Sequence, residues 1–168
     1  MSDGLTCLCR MPLSWHAAEV DAEASTQLLR EAALLLAALN QIESSHELEA
    51  TNPENRRLDR IEAKLDLALH LLARTLQDES HSKRLPVELT STSASWPDNT
   101  PPGEGTRLIV EFSPSTALPL NLKLPAIGMA PENSMARVRF AGLGETLDDA
   151  LYQFVFRRHR QAIRARSG

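Results

Sequence analysis

No glycine occurs between Gly4 and Gly103 in this 168-residue chain. Glycine supplies the left-handed backbone of tight turns and the close approaches that phosphates need, so its absence favours long uninterrupted helices. The same gap excludes a phosphate-cradling loop of the G-x-x-x-x-G-K-S/T or G-x-G-x-x-G kind from the first half, and neither spacing occurs later. Proline shows the opposite bias, with eight of its 10 residues between Pro86 and Pro131. A Leu/Ala/Glu/Arg-rich half is therefore joined to a Pro-punctuated half of short β-branched and Leu-rich runs.

An apolar fraction of 42% with a net charge of -4 suits a chain that folds around a core. Residues 1 to 84 carry 9 Lys/Arg against 14 Asp/Glu, and residues 85 to 168 carry 9 against 8. Neither balance is that of a nucleic-acid binder. The two cysteines, Cys7 and Cys9, are too close in sequence to staple a framework and are read as a flexible, reduced pair, which suits a cytoplasmic protein. The longest apolar run, Ala32 to Leu39, is too short to span a bilayer.

From about Ser25 the residues Leu28, Ala32, Leu35, Leu39 and Ile42 alternate spacings of four and three, and Leu29, Ala33 and Leu36 widen the stripe. The pattern predicts an amphipathic helix ending between Ser44 and Ala50. A second helix is expected after Asn52 and Pro53, a capping residue followed by the residue best tolerated at the first helical position. Leu58, Ile61, Leu65, Ala68 and Leu72 follow a heptad rhythm, and Leu65, Leu69, Leu72 and Leu76 an overlapping one. A helix from Pro53 to Glu79 would be a rod of roughly 40 Å. A domain of about 85 residues has a radius of gyration near 12 Å and cannot cover it. Arg56, Arg60 and Lys64 line one flank while Asp59, Glu62 and Asp66 line another, and each self-repelling flank is relieved by the opposite flank of a neighbouring helix. The first helix could fold back on the second as an intramolecular hairpin; self-association is the expectation preferred, trimer or tetramer above dimer, with Leu58, Ile61, Leu65, Leu69, Leu72 and Leu76 at the interface.

Beyond Glu79, strand-length runs at Leu85 to Thr90, Thr106 to Phe112, Leu118 to Leu124 and Met135 to Phe140 are separated by Pro- and Asn-containing turns, which predicts a small antiparallel barrel. A last helix follows Gly144, with Thr146 and Asp149 spaced as a capping box. Leu147, Ala150, Leu151 and Phe154 form its apolar face. Its basic end, Arg157 to Arg166, suits the helix dipole and is expected to be solvated.

Read in order, these strands and the closing stretch Leu147-Asp148-Asp149-Ala150-Leu151-Tyr152-Gln153-Phe154-Val155-Phe156-Arg157-Arg158-His159-Arg160-Gln161-Ala162-Ile163-Arg164 resemble a PilZ domain over about Lys83 to Arg166. The resemblance implies a six-stranded barrel with a C-terminal helix and a role in cyclic di-GMP signalling. The family's ligand motifs are an R-x-x-x-R segment before the first strand and a D-x-S-x-x-G segment after it. The second aligns with Ser91-Thr92-Ser93-Ala94-Ser95-Trp96, keeping only Ser93 and replacing the glycine with a tryptophan expected to fill the ligand's space. Before the strand stand only Lys83 and Arg84, and the literal R-x-x-x-R at Arg56 to Arg60 lies inside the heptad helix. Losing two charge-assisted contacts of roughly 1.5–3 kcal/mol each weakens binding on the order of 10² to 10⁴-fold.

The fold class read from the chain is thus α+β, a PilZ-like barrel with a C-terminal helix preceded by long amphipathic helices. Residues 1–24 are assigned to a loose segment with at most a short helix, 25–80 to a helical oligomerisation region, and 83–166 to the barrel. Five scattered histidines and the absence of a G-x-S-x-G elbow point away from catalysis and metal binding, and no cofactor is expected. The implied function is a bacterial signalling adaptor in motility, type IV pilus or virulence regulation, acting through unidentified protein partners without nucleic acid. The alternative is a cyclic di-GMP receptor using Lys83, Arg84 and Ser93.

Overall fold

The computed structural model describes residues 4–49, 65, 68, 83–116, 118 and 120–167. Among them the order is β1 (Cys7–Ala17), α1 (Ala22–Glu49), β2 (Arg84–Leu89), β3 (Ser93–Pro97), β4 (Arg107–Phe112), β5 (Leu122–Gly128), β6 (Met135–Phe140) and α2 (Glu145–Ser167). Six antiparallel strands close into a barrel in the order β1-β2-β3-β6-β5-β4. Strand alternation builds it: Val87, Leu89, Ala94, Trp96, Leu108, Val110, Phe112, Ala136, Val138 and Phe140 are buried, and their sequence neighbours are more exposed.

The N-terminal segment is not loose. Cys7 to Pro12 pair with β2, and Leu13 to Ala17 pair with β4, so β1 is the strand that closes the barrel. Cys7, Met11 and Leu13 are buried at a period of two, with Cys9 and Trp15 packed against the same core. Pro12 falls where the strand leaves β2 for β4, a position that tolerates its missing N–H. The helical region consequently does not precede the barrel but is inserted after its first strand.

Helix α1 starts at Ala22, earlier than the periodicity suggests, because the Asp21 carboxylate accepts the Ala24 N–H at 2.8 Å as an N-cap. Ala32, Leu36 and Leu39 are its buried apolar residues on the side that packs on β5 and α2, whereas Ile42 is 37% exposed. Burial of a leucine side chain is worth about 1.5–3 kcal/mol, so Leu36 and Leu39 make α1 part of the domain core. Helix α2 buries Leu147, Ala150, Leu151, Phe154 and Val155. Its N-cap is Gly144, whose carbonyl accepts the Leu147 and Asp148 N–H groups, and Thr146 lies inside the first turn. The β5 strand begins at Leu122, not Leu118, and ends at Gly128, where a Cβ would collide with the Gly103 carbonyl.

Candidate functional site

The ligand-motif segment forms the turn from β2 into β3. Thr90 organises it, since its hydroxyl accepts the Ser93 N–H at 2.9 Å while its own N–H donates to the Ser93 carbonyl at 2.9 Å. Strand alternation then sends Ala94 and Trp96 inward and leaves Ser93 and Ser95 on the outer side. Trp96 is only 1% exposed. Its ring therefore fills the barrel interior, and the steric block expected of it on the ligand face is not present.

Across the ladder, β6 alternates in the same phase, burying Ala136 and Val138 and turning Arg137 and Arg139 outward. The register pairs Ser93 with Arg139 and Ser95 with Arg137. With Glu88, Thr90, Thr92 and Met129 these residues line a cavity of about 340 Å³, and the Ser95 hydroxyl stands 3.5 Å from a Glu88 carboxylate oxygen. Glu132 engages Arg137 at 2.9 Å, whereas Arg139 makes no side-chain hydrogen bond or ion pair among the described residues. The arrangement sets hydroxyls opposite two guanidiniums, with Glu88 and Glu132 offsetting part of the positive charge, so Arg139 is the guanidinium placed to meet a phosphate or a guanine edge. Arg137 and Arg139 are residues that the sequence motifs did not indicate, although arginine alternating with Ala136, Val138 and Phe140 is a readable signal for an outward basic pair.

Lys83 and Arg84 do not join this group. Arg84 opens β2 opposite Pro12, five residues before Leu89, so it stands roughly 17 Å along the strand from the turn that carries Ser93. Leu58, Ile61, Leu69, Leu72, Leu76 and the Arg56 to Arg60 pair lie outside the described residues. Leu65 is described, and it is helical and 58% exposed.

Two further polar clusters lie outside the cavity lining. Asp98, just beyond β3, accepts the indole N–H of Trp15 at 2.8 Å and that of Trp96 at 3.3 Å on one oxygen, and the Thr100 N–H at 2.9 Å on the other. Partial burial pushes its carboxyl up, but the donors from Trp15, the Thr100 backbone and Trp96 outweigh this and hold it below the ordinary aspartate value. At the far side, α1 and α2 are joined by Glu43, which accepts from Arg157 and Arg158 at 2.8 Å each. Buried Asn40 donates to the Ala150 carbonyl at 2.9 Å and accepts from Arg157 at 3.2 Å. The first two arginines of the basic end are thus not solvated as expected but anchor α1. Among the described residues, no group of three or more His, Cys, Asp or Glu side chains could hold a metal ion, and no helix is long and apolar enough to cross a membrane.

Residues 33–167 match the family described as "Atypical PilZ domain, cyclic di-GMP receptor". The chain belongs to the atypical PilZ domain family. A solved PilZ structure from Xanthomonas campestris, described as a pathogenic protein and a tetrameric PilZ domain self-assembled through an unusual helical bundle, is 31% identical, with a TM-score of 0.76 over 97% of this chain and 92% of that one. Comparison with curated proteins gave no match. The PilZ barrel and C-terminal helix expected from the second half are borne out, with β1 added from the N-terminus.

Proposed function

We propose that this protein is a non-enzymatic bacterial signalling adaptor, a PilZ domain that self-assembles through the heptad positions Leu58 to Leu76, tetramer foremost, and acts by protein–protein contacts. One observation carries the reading: the chain is similar along 97% of its length to a PilZ protein that assembles through a helical bundle. The exposed, helical Leu65 agrees with it, because a leucine in a heptad register needs a partner surface. Motility, type IV pilus or virulence regulation is the cellular setting that the family analogy implies. Light scattering on the full chain tests the assembly. A mass of several chains that falls to one chain in Leu65→Asp/Leu72→Asp supports it, and a monomer mass in the unaltered protein overturns it.

Cyclic di-GMP binding at family strength is not expected, since Ser91 replaces the motif aspartate and no arginine pair leads into β2, only Lys83 and Arg84. A second reading is favoured by the pairing of Ser93 with Arg139 and Ser95 with Arg137, which supplies guanidiniums from β6 in place of those missing before β2. Calorimetry with cyclic di-GMP separates the two. Absence of binding at micromolar concentrations supports the adaptor, and binding lost on Arg139→Ala establishes the receptor with non-standard ligand residues.

A further inference from the structure

Cys7 and Cys9 stand two residues apart on the core-facing side of β1, and their sulfurs are 3.1 Å from each other. They are held in unlike environments. Cys7 is buried, and both the hydrogen bond it shares with Cys9 and its burial push its thiol far up. Cys9 is only partly buried, and the Cys7 thiol together with the nearby Arg158 guanidinium stabilises its thiolate below the ordinary cysteine value, despite the opposing effect of burial. The neighbourhood is fixed from both sides. Arg158 is pinned by Glu43 at 2.8 Å and the Pro114 carbonyl at 3.0 Å, and His159 donates through Nδ1 to the Thr6 carbonyl at 3.0 Å, immediately before the pair.

We propose that Cys7 and Cys9 form a peroxide-reactive dithiol, with Cys9 the attacking sulfur and Cys7 the resolving one. The Cys9 thiolate attacks one peroxide oxygen, the O–O bond breaks, and Cys9 becomes a sulfenic acid while the departing hydroxide takes up a proton. The Cys7 thiol then attacks the Cys9 sulfur, the S–S bond forms, and the sulfenic hydroxyl leaves as water with the Cys7 proton. Two thiols give up two electrons and two hydrogens, and one hydrogen peroxide becomes two waters. Same-face neighbours on an extended strand lie about 6.5 Å apart at Cα, near the upper limit that a disulfide spans. Closing the bond therefore contracts β1 where it pairs with Val87 and Leu89 and where α2 touches it through His159.

The test uses the full chain and hydrogen peroxide. The expected product is a chain about 2 Da lighter with no disulfide to another chain, both thiols being lost to titration after denaturation and both restored by a dithiol reductant. Limiting iodoacetamide on the untreated protein should label Cys9 before Cys7. In Cys7→Ser, the sulfenic acid at Cys9 should persist long enough to be trapped by dimedone. Unchanged thiols, oxygen addition without loss of the two hydrogens, disulfide-linked dimers, or labelling of Cys7 first would each overturn the proposal. The mass and labelling readouts need no variant, so they stand even if Cys7→Ser fails to fold.

Discussion

Asp98 joins the chain's two tryptophans, one from β1 and one from β3, through one carboxylate. Asp98→Ala removes the acceptor and leaves two indole N–H groups to find other partners, a loss of about 1–2 kcal/mol. Both tryptophans report on this one site, so the shift is expected in intrinsic fluorescence as well as in the unfolding midpoint. The pH dependence has a definite sign. The folded carboxyl titrates below the ordinary aspartate value, so its contribution is complete above that ordinary value and is lost as pH falls through the depressed one. Asp98→Asn should flatten the acid limb of the stability curve, and an unchanged limb would assign the acid sensitivity elsewhere. Trp96 shows why a motif position is hard to read from the chain alone. Its alignment with a glycine was legible, but the direction of its ring depends on strand phase, and that phase places it in the core while Arg137 and Arg139 come forward.

Strand β1 and helix α1 show what decides legibility at the scale of elements. The alternation of Cys7, Cys9, Met11, Leu13 and Trp15 is present in the sequence, yet β2, its partner, begins at Arg84, so no hairpin turn joins them or announces the pairing. The strands β4 and β6 were legible because turn chemistry flanks them closely and their buried faces alternate cleanly. Helix α1 was legible from its period, but its destination was not. The apolar stripe reads equally as an oligomer seam or a core face, and polar contacts decide for the core. Glu43 bridges two guanidiniums whose side chains are 11% and 25% exposed, so Glu43→Ala leaves two like charges facing each other in a partly desolvated pocket. A destabilisation of about 1–3 kcal/mol is expected in urea unfolding. Adding Arg157→Ala should recover part of it, since the second substitution removes one of the stranded charges. A simply additive double variant would show that Glu43 and Arg157 are not coupled. Gly128 sets a matching limit on β5: Gly128→Ala forces the strand away from Gly103 and should cost about 1–3 kcal/mol by the same measurement.

For the whole molecule the question is whether the barrel depends on assembly. The described residues close a barrel on all six strands and cover β5 with α1, and their core runs continuously from Cys7 to Val155. That core contains the packing a domain of this size needs, so dissociation is not expected to unfold it. Assembly through the heptad positions Leu58 to Leu76 would then add stability by mass action alone, in an amount set by chain concentration. The thermal midpoint of the unaltered protein should therefore rise as concentration is raised. That of Leu65→Asp/Leu72→Asp should be lower and flat, with the near-ultraviolet signal of Trp15 and Trp96 preserved below the transition. The two signals separate the alternatives cleanly. A variant that loses the tryptophan signal when it dissociates would show that the barrel requires its neighbours, whereas a concentration-independent midpoint in the unaltered protein would show that the segment does not assemble it at all.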